Sequence, residues 1–177
     1  MKRKVILYIS QSLDGFIADN QGSVDWIGEN DHEYVSDYGY ESFIKDVDTV
    51  ILGANTYKQI ICELSKDKWV YEDLQSYVLT SENIKDTVNI KYVNMNIKKL
   101  IHQLQQEKGK NIWICGGAHV IDQCIKEHII DEYHIKTLPV ILGKGIRLFG
   151  EGHGKIKLKL KKVKEENGLI QGIYINQ

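Results

Sequence analysis

Arginine is scarce in this chain of 177 residues, and so are proline, cysteine and long apolar runs. Only Arg3 and Arg147 are Arg, so Lys supplies 21 of the 23 basic residues. A guanidinium binds a phosphate or a carboxylate through two parallel hydrogen bonds, and an ammonium cannot reproduce that geometry. The sequence therefore excludes a binding site built from several Arg side chains.

The cysteines exclude two further kinds of site. Cys62, Cys115 and Cys124 are odd in number and show no C-x-x-C spacing, so we expect neither a disulfide framework nor a zinc knuckle. The segment that starts at His32 begins like the zinc motif H-E-x-x-H, but Ser36 stands where the second ligand belongs. We expect no metal site, and reduced cysteines are typical of a cytoplasmic protein.

The charge and the length of the chain limit its partners. The net charge is -1, which gives no global field to attract a polyanion. No apolar run approaches the roughly 20 residues of a membrane span, and the polar segment after residue 10 comes too early for a signal peptide. We expect a single domain over residues 1–177, with a small-molecule substrate and with neither a nucleic acid nor a membrane as its partner.

Buried strands and amphipathic helices alternate along the chain. Short β-branched and apolar runs predict strands, and apolar residues at helical spacing predict helices. The predicted strands cover residues 4–10, 47–53, 76–81, 90–93, 111–115 and 131–142, and the predicted helices cover 31–45, a segment from Asn55 to Leu64, 97–108 and a segment from the paired glycines to Ile125. Alternation of this kind is typical of a parallel sheet that is covered on both faces.

The C-terminal tail adds a different pattern. From residue 155 onward it alternates Lys with apolar residues, and Asn167-Gly168 at its centre is a strong hairpin signal. Pro139, the only proline, marks a bend or an edge in the preceding strand. The predicted fold class is therefore α/β: a three-layer α/β/α sandwich with a mostly parallel sheet and a C-terminal antiparallel hairpin.

Two predicted strands end in glycine turns that lead into helices. VILG-ANT ends at Thr56 and IWIC-GGAH ends at His119, while VLTS ends a third strand with two hydroxyl side chains. Helix N-termini at the carboxyl ends of parallel strands offer N–H groups and a positive dipole end to phosphate. A glycine can also simply permit a tight turn, but two such turns in one chain favour a dinucleotide with a diphosphate bridge.

The first loop is long and polar, yet it contains apolar residues. It runs from Gln11 to about Asn30, and Phe16, Ile17 and Trp26 interrupt its polar sequence. Loops of this length in compact domains are usually functional. These apolar side chains make sense if the loop folds over a flat ring.

These motifs together resemble those of one family. SLDGFIAD, VILGANTY, YVLTSE, ICGGAHVI and DEYHIKTLPVILGKGIRLF occur in this order over nearly the whole chain. With these motifs in this order, the chain resembles members of the dihydrofolate reductase superfamily. Within that superfamily it most resembles the C-terminal reductase domain of bifunctional riboflavin-biosynthesis proteins. The resemblance implies hydride transfer from NADPH to a C=N or C=O group of a pyrimidine-like or pterin-like ring, as in 5-amino-6-(5-phosphoribosylamino)uracil reductase.

The resemblance also assigns roles by position. It implies two segments that hold the diphosphate, a cis peptide bond between the paired glycines, a ribose site and a lid over the nicotinamide. The implied cofactor-binding residues are Gly53, Asn55, Thr56, Gly116, Gly117, Ala118, His119 and Val120 for the diphosphate, Thr80 and Ser81 for the ribose, and Ile17 and Ala18 for the lid. For the proton donor, Asp31 is the first candidate and Asp14 the second. Relatives commonly pair, which favours a homodimer.

The chain departs from the family's patterns at several positions. Ala54 stands where many relatives have an Arg for the 2′-phosphate of NADPH, so NADH is the alternative cofactor. Phe16 and Cys115 replace a Lys and a Glu of the riboflavin-type reductases. Residues 66–75 contain no Arg for the tail of dihydrofolate. A dihydrofolate reductase and a non-catalytic nucleotide-binding protein of the same fold remain the alternatives.

Overall fold

The computed structural model describes residues 2–28 and 39–177. The strands are β1 (Val5–Ser12), β2 (Phe16–Ala18), β3 (Val47–Gly53), β4 (Gln75–Leu79), β5 (Ile90–Val93), β6 (Asn111–Gly116), β7 (Glu132–Leu138), β8 (Ile146–Arg147), β9 (Leu158–Glu166) and β10 (Leu169–Asn176). The helices are α1 (Tyr40–Lys45), α2 (Ala54–Gln59), α3 (Ile97–Gln106) and α4 (Ala118–Lys126), with a 3-10 turn at Asp25–Ile27 and a π-helical turn at Ile60–Leu64 that continues α2.

Eight strands form one sheet in the order β5-β4-β3-β6-β1-β7-β10-β9. The strands from β5 to β7 are parallel, and β10 is antiparallel to both β7 and β9. Strands β2 and β8 form a separate antiparallel pair. The predicted mixed α/β fold with an antiparallel C-terminal hairpin is confirmed.

Each face of the sheet packs against its own helices. In β1, Val5 and Leu7 face the core that contains α3 and α4, whereas Ile6 and Tyr8 face the core that contains Phe43 of α1. Successive side chains of a strand point to opposite faces, so both sets are buried and the strand reads as one apolar run. Within the described residues, no helix has the length and apolar character needed to cross a membrane.

Some predicted boundaries differ from the structure. Strand β7 ends at Leu138 and does not reach residue 142, because Pro139 follows and has no N–H for the ladder. Helix α1 is described from Tyr40, and the earlier part of the predicted helix lies outside the described residues. The hairpin turn has Asn167 at φ 52° and Gly168 at φ 80°, the left-handed pair of a type I′ turn.

Arg3 joins the N-terminus to β3, to α3 and to the loop that follows α3. Its guanidinium is 4% exposed and donates to the carbonyls of Leu104 and Lys110, to Thr49 Oγ1 and to the Asp48 carboxylate. A charged group this deeply buried is stable only with such partners. One of the two arginines is therefore a structural residue.

Glu132 joins three strands at the opposite end of the sheet from the glycine turns. The Glu132 side chain is nearly buried. Its carboxylate lies 2.8 Å from Lys4 Nζ, 3.0 Å from Lys161 Nζ and 3.0 Å from His134 Nε2. Burial alone would raise the pKa of Glu132, but the hydrogen bonds from Lys4, His134 and Lys161 outweigh it and lower this pKa to about 2.

This pKa predicts a loss of stability in acid. Because the folded-state pKa lies below the unfolded value, Glu132 stabilises the fold above about pH 4.5, and this contribution is lost as the pH falls toward 2. Urea unfolding at pH 4.5 and pH 3 should show a smaller acid loss for Glu132→Gln than for the wild type. Glu107→Gln, on an exposed residue, is the control and should follow the wild type. Equal acid losses in all three proteins would contradict the prediction.

Candidate functional site

A groove of about 1470 Å³ opens at the carboxyl ends of the parallel strands. One part, here called the edge arm, follows the ends of β5, β4, β3 and β6 and is lined by Met95, Thr80, Gly53 and Gly117, among others. The other part, the face arm, extends over the sheet face that carries α1 and α2 and is lined by Tyr8, Tyr71, Trp113, Cys115 and Glu63, among others.

The two glycine turns touch each other in the edge arm. A Cβ atom on Gly53 would lie 3.1 Å from Val120 Cγ2, and one on Gly117 would lie 3.0 Å from Thr56 Oγ1. Gly116 has φ 126°, a conformation that side-chain-bearing residues rarely adopt, and the Gly116–Gly117 bond is cis. The absence of side chains at these positions brings the start of α2 against the start of α4 and keeps the floor of the arm open.

Helix α4 begins at this floor. The carbonyl of Gly117 accepts hydrogen bonds from the N–H groups of Val120 (3.0 Å) and Ile121 (3.1 Å), which starts the helix directly after the glycine pair. The positive end of the helix dipole therefore lies on the edge arm, where an anionic group of a ligand is stabilised.

The outer end of the edge arm carries an ion pair. The N–H of Glu82 donates to Thr80 Oγ1 (3.0 Å), which fixes the turn after β4. Lys58 Nζ of α2 lies 2.6 Å from Glu82 Oε1, and both side chains are 53% exposed. A carboxylate and an ammonium thus lie together beside the hydroxyls of Thr80 and Ser81 on the groove wall.

The wall of the face arm is largely aromatic. The rings of Tyr71 and Trp113 pack edge to face with centroids 5.0 Å apart, and Trp113 Nε1 donates to the carbonyl of Tyr8 (3.0 Å). Tyr71 Oη lies 3.5 Å from Cys115 Sγ. Burial raises the pKa of Tyr71 well above its ordinary value and that of Cys115 to about 11, so both groups stay protonated at neutral pH.

The first loop covers the groove and is attached to α2. Ile17, Ala18 and residues 20–22 line the groove, and Gln59 Nε2 of α2 donates to the carbonyl of Gly22 (2.9 Å). The Asp19 carboxylate accepts from the N–H groups of Gln21 (2.7 Å) and Ser23 (2.9 Å) and shapes the turn. The loop is therefore held in place over the junction of the two arms.

The structure brings most of the predicted cofactor-binding residues together. The groove is lined by Ile17, Ala18, Gly53, Asn55, Thr56, Thr80, Ser81, Gly117, Ala118, His119 and Val120. Gly116 is not among the lining residues, and its contribution is the backbone geometry that turns β6 toward α4. Neither Arg3 nor Arg147 lines the groove, and Arg147 lies over the Phe16 ring, 4.8 Å from its centroid.

The two predicted proton donors are placed differently. Asp14 does not line the groove, because its carboxylate accepts hydrogen bonds from Ser12 Oγ (2.6 Å), Leu142 N (3.1 Å) and Gly143 N (2.7 Å). The Ser12 bond is the main reason that the pKa of Asp14 is lowered. These contacts join two loops, and the role of Asp14 as a proton donor stays a prediction. Asp31 lies outside the described residues, so its role stays a prediction.

Sequence reasoning missed the residues of the face arm. Tyr8 and Trp113 lie in the middle of apolar strand runs and Tyr71 lies in a loop, so nothing in their local pattern separates them from core residues. The available signal is position: Trp113 and Cys115 lie close before the paired glycines, at the strand end where ligands bind.

Comparison with known proteins identifies the same family as the motifs. The family model of the RibD C-terminal domain matches residues 3–169. The uncharacterized protein YwjB of Bacillus subtilis (strain 168) is 41% identical over 176 residues, which cover 99% of both chains. YyaP of the same strain is 29% identical, over 98% of this chain and 95% of its own length.

Solved structures show the same fold. A riboflavin biosynthesis protein from Shewanella sp. PV-4 superposes with a TM-score of 0.85 at 29% identity, covering 100% of this chain and 99% of that one. A Thermotoga maritima diaminohydroxyphosphoribosylaminopyrimidine deaminase/5-amino-6-(5-phosphoribosylamino)uracil reductase superposes with a TM-score of 0.71 at 18% identity. That match covers 99% of this chain but only 57% of the Thermotoga chain.

The three thiols should differ in reactivity. Burial raises the pKa of Cys115 to about 11 and that of Cys124 to about 12, so almost none of either is the nucleophilic thiolate at pH 8. Cys62 is exposed on the groove. Iodoacetamide at pH 8 should label one site per chain, which peptide mass spectrometry should assign to Cys62. Cys62→Ser is the control and should remain unlabelled, whereas early labelling of Cys115 would contradict the burial described above.

Proposed function

This chain belongs to the family of the RibD C-terminal domain, and from that premise we propose that it is a reductase that uses a nicotinamide dinucleotide to reduce a pyrimidine-like or pterin-like ring. The observation that carries the proposal is the contact between the two glycine turns in the edge arm. NADPH is the cofactor that the family favours, and NADH is the alternative for the reasons given below.

The edge arm fits the dinucleotide chemically. The diphosphate would lie at the open floor formed by Gly53 and Gly117, where added Cβ atoms would meet Val120 and Thr56. Asn55, Ala118 and His119 border the same floor, and Thr80 and Ser81 offer hydroxyls for a ribose. The dipole of α4 compensates the charge of a diphosphate without an Arg side chain.

The reaction requires the nicotinamide ring and the acceptor ring to lie against each other in a defined orientation. When bound, the nicotinamide supplies a hydride, whose electron pair forms the new C–H bond at a C=N or C=O carbon. The nitrogen or oxygen of that group then takes a proton from an acid of the site or from water. The covering loop with Ile17 and Ala18 excludes water from the junction of the arms. Asp31 remains the proposed acid, as a prediction.

The glycine floor gives the first test of dinucleotide binding. Gly117→Ala should weaken the binding of NADPH and NADH at least tenfold, about 1.4 kcal/mol, because the new Cβ lies 3.0 Å from Thr56 Oγ1 and narrows the floor. Fluorescence titration measures both dissociation constants. Gly154→Ala adds the same methyl group in open space and is the control.

The outcomes of this test separate the candidate functions. If the wild type binds neither dinucleotide at millimolar concentration, the reductase proposal is wrong. Binding without oxidation of the nicotinamide by any pyrimidine, pterin or dihydrofolate acceptor would support a non-catalytic nucleotide-binding protein instead.

The Lys58–Glu82 pair gives a test of cofactor preference. With Ala54 in the family's Arg position, Lys58 is the cation beside Thr80 and Ser81, and Glu82 neutralises it. Glu82→Gln should therefore increase the affinity for NADPH relative to NADH by about tenfold, since it releases the ammonium toward a 2′-phosphate and removes a like charge. Dissociation constants from the same titration give the ratio.

A second ion pair provides the matched control for that ratio. Glu72 forms a pair of the same length, 2.6 Å, with Lys68 and does not line the groove. Glu72→Gln should leave the NADPH to NADH ratio at the wild-type value. An unchanged ratio in Glu82→Gln would remove this pair from cofactor selection.

A further inference from the structure

A tyrosine hydroxyl lies where the face arm meets the floor of the edge arm. Tyr71 lines the groove from the loop between the π-helical turn and β4, and its hydroxyl reaches Cys115 near the end of β6. Resting on the proposed function, we propose that the Tyr71 hydroxyl donates a hydrogen bond to a carbonyl oxygen of the acceptor ring, a contact that uracil and pterin rings can both make. Tyr71 is then a specificity-determining residue of the reaction.

Two tryptophan rings hold the Tyr71 ring in place. Its centroid lies 5.3 Å from that of Trp69 and 5.0 Å from that of Trp113, and both pairs meet edge to face. Trp113 is 4% exposed and its Nε1 donates to the carbonyl of Tyr8, so this ring is fixed in the core and acts as a support. The N–H of Leu74 donates to the Tyr71 carbonyl (3.0 Å) and closes the turn. A hydroxyl held in this way loses little conformational freedom when a ligand binds.

The contact with Cys115 leaves the Tyr71 hydroxyl able to donate. Tyr71 Oη lies 3.5 Å from Cys115 Sγ, and either atom can be the donor. A hydroxyl has one proton and two acceptor sites, so the thiol can donate to the phenol oxygen while the phenol O–H donates to a ligand. Burial raises the pKa of both groups, so at neutral pH the hydroxyl keeps the proton that a carbonyl oxygen accepts.

The position of this hydroxyl suits the place of the acceptor. Cys115 lies two residues before Gly117, and two residues of chain span at most about 7 Å, so the hydroxyl is near the glycine floor. Hydride transfer needs the acceptor ring beside the nicotinamide, and Ile17 and Ala18 of the covering loop lie over the same junction. A hydrogen bond from Tyr71 therefore fixes the acceptor ring at the point where the two arms meet.

A charged group lies on the other side of β1. Lys136 of β7 is 7% exposed, is in register with the lining residue Ser10, and has its Nζ 4.7 Å from the centroid of the Tyr8 ring. Strand β1 lies between β6 and β7, so the ammonium and the Cys115 thiol belong to opposite flanks of this strand. Variants of Tyr71 leave Lys136 in place, and its effect on an acceptor is therefore the same in each of them.

Removal of the hydroxyl alone tests the proposal. The probes are 5-amino-6-(5-phosphoribosylamino)uracil and 7,8-dihydropterin, and isothermal titration calorimetry gives their dissociation constants for the wild type and for Tyr71→Phe. We expect at least one probe to bind the wild type, and Tyr71→Phe to weaken that binding about tenfold, because the carbonyl oxygen loses its donor. The dissociation constants of NADPH and NADH should stay within about twofold of the wild-type values, since the diphosphate floor is unchanged.

Tyr92→Phe is the matched control. The hydroxyl of Tyr92 donates to Tyr57 Oη (2.5 Å), and neither residue is among the groove-lining residues that the structure describes. This variant loses a tyrosine hydrogen bond of the same kind and should bind both probes as the wild type does. An unchanged probe affinity in Tyr71→Phe would overturn the proposal. An equal loss of probe and dinucleotide affinity would overturn it as well, because a purely structural role of the hydroxyl produces that result.

Cys115 provides a second, independent variant. Cys115→Ala removes the partner that orients the Tyr71 hydroxyl and should weaken probe binding about threefold. Cys115→Ser keeps a hydrogen-bonding group at this position and should retain the wild-type affinity. Equal affinities of the Ala and Ser variants would contradict the orienting contact.

Failure of this proposal can be told apart from failure of the proposed function. If the wild type binds a dinucleotide but neither probe at millimolar concentration, the carbonyl-bearing acceptor ring is wrong and the role of Tyr71 is overturned with it. The dinucleotide titration still decides the reductase proposal by itself, because it measures binding in the edge arm.

Discussion

The contact between the two glycine turns is the constraint on which the site depends. Strands β3 and β6 are neighbours in the sheet, so the helices that follow them start side by side. Side chains at Gly53 or Gly117 would separate these helix starts or fill the floor between them. The sheet order and the missing Cβ atoms therefore make one continuous binding floor from two separate loops.

The distribution of positive charge follows from how this small set of arginines is used. Arg3 is buried at the other end of the sheet, where it donates to the carbonyls of Leu104 and Lys110 and to the Asp48 carboxylate. Among the described residues that line the groove, Lys58 and His119 are the basic ones, and the dipole of α4 adds a positive end. Binding of an anion in the edge arm consequently relies on backbone groups and on a single ion pair, while the face arm is walled by aromatic side chains.

Local sequence patterns predicted the fold and the edge arm well, for a physical reason. Glycine turns, capping residues and β-branched runs act through the backbone within a few residues, so VILGANT and ICGGAHV place the strand ends and helix starts correctly. The end of β7 was missed by four residues because apolar side chains after Pro139 continue the strand pattern without its hydrogen bonds.

The face arm depends on which strands become neighbours, and Tyr8, Tyr71 and Trp113 come from three distant segments. The contacts of Asp14 show the same limit, since Leu142 and Gly143, whose N–H groups donate to its carboxylate, are far away in sequence.

Helix α2 and its π-helical extension run past both arms of the groove. Thr56 packs against the glycine floor, Gln59 holds the covering loop through Gly22, and Glu63 lines the groove. All three residues belong to one short, continuous helical segment. The position of this segment therefore sets the width of the glycine floor and the place of the covering loop together.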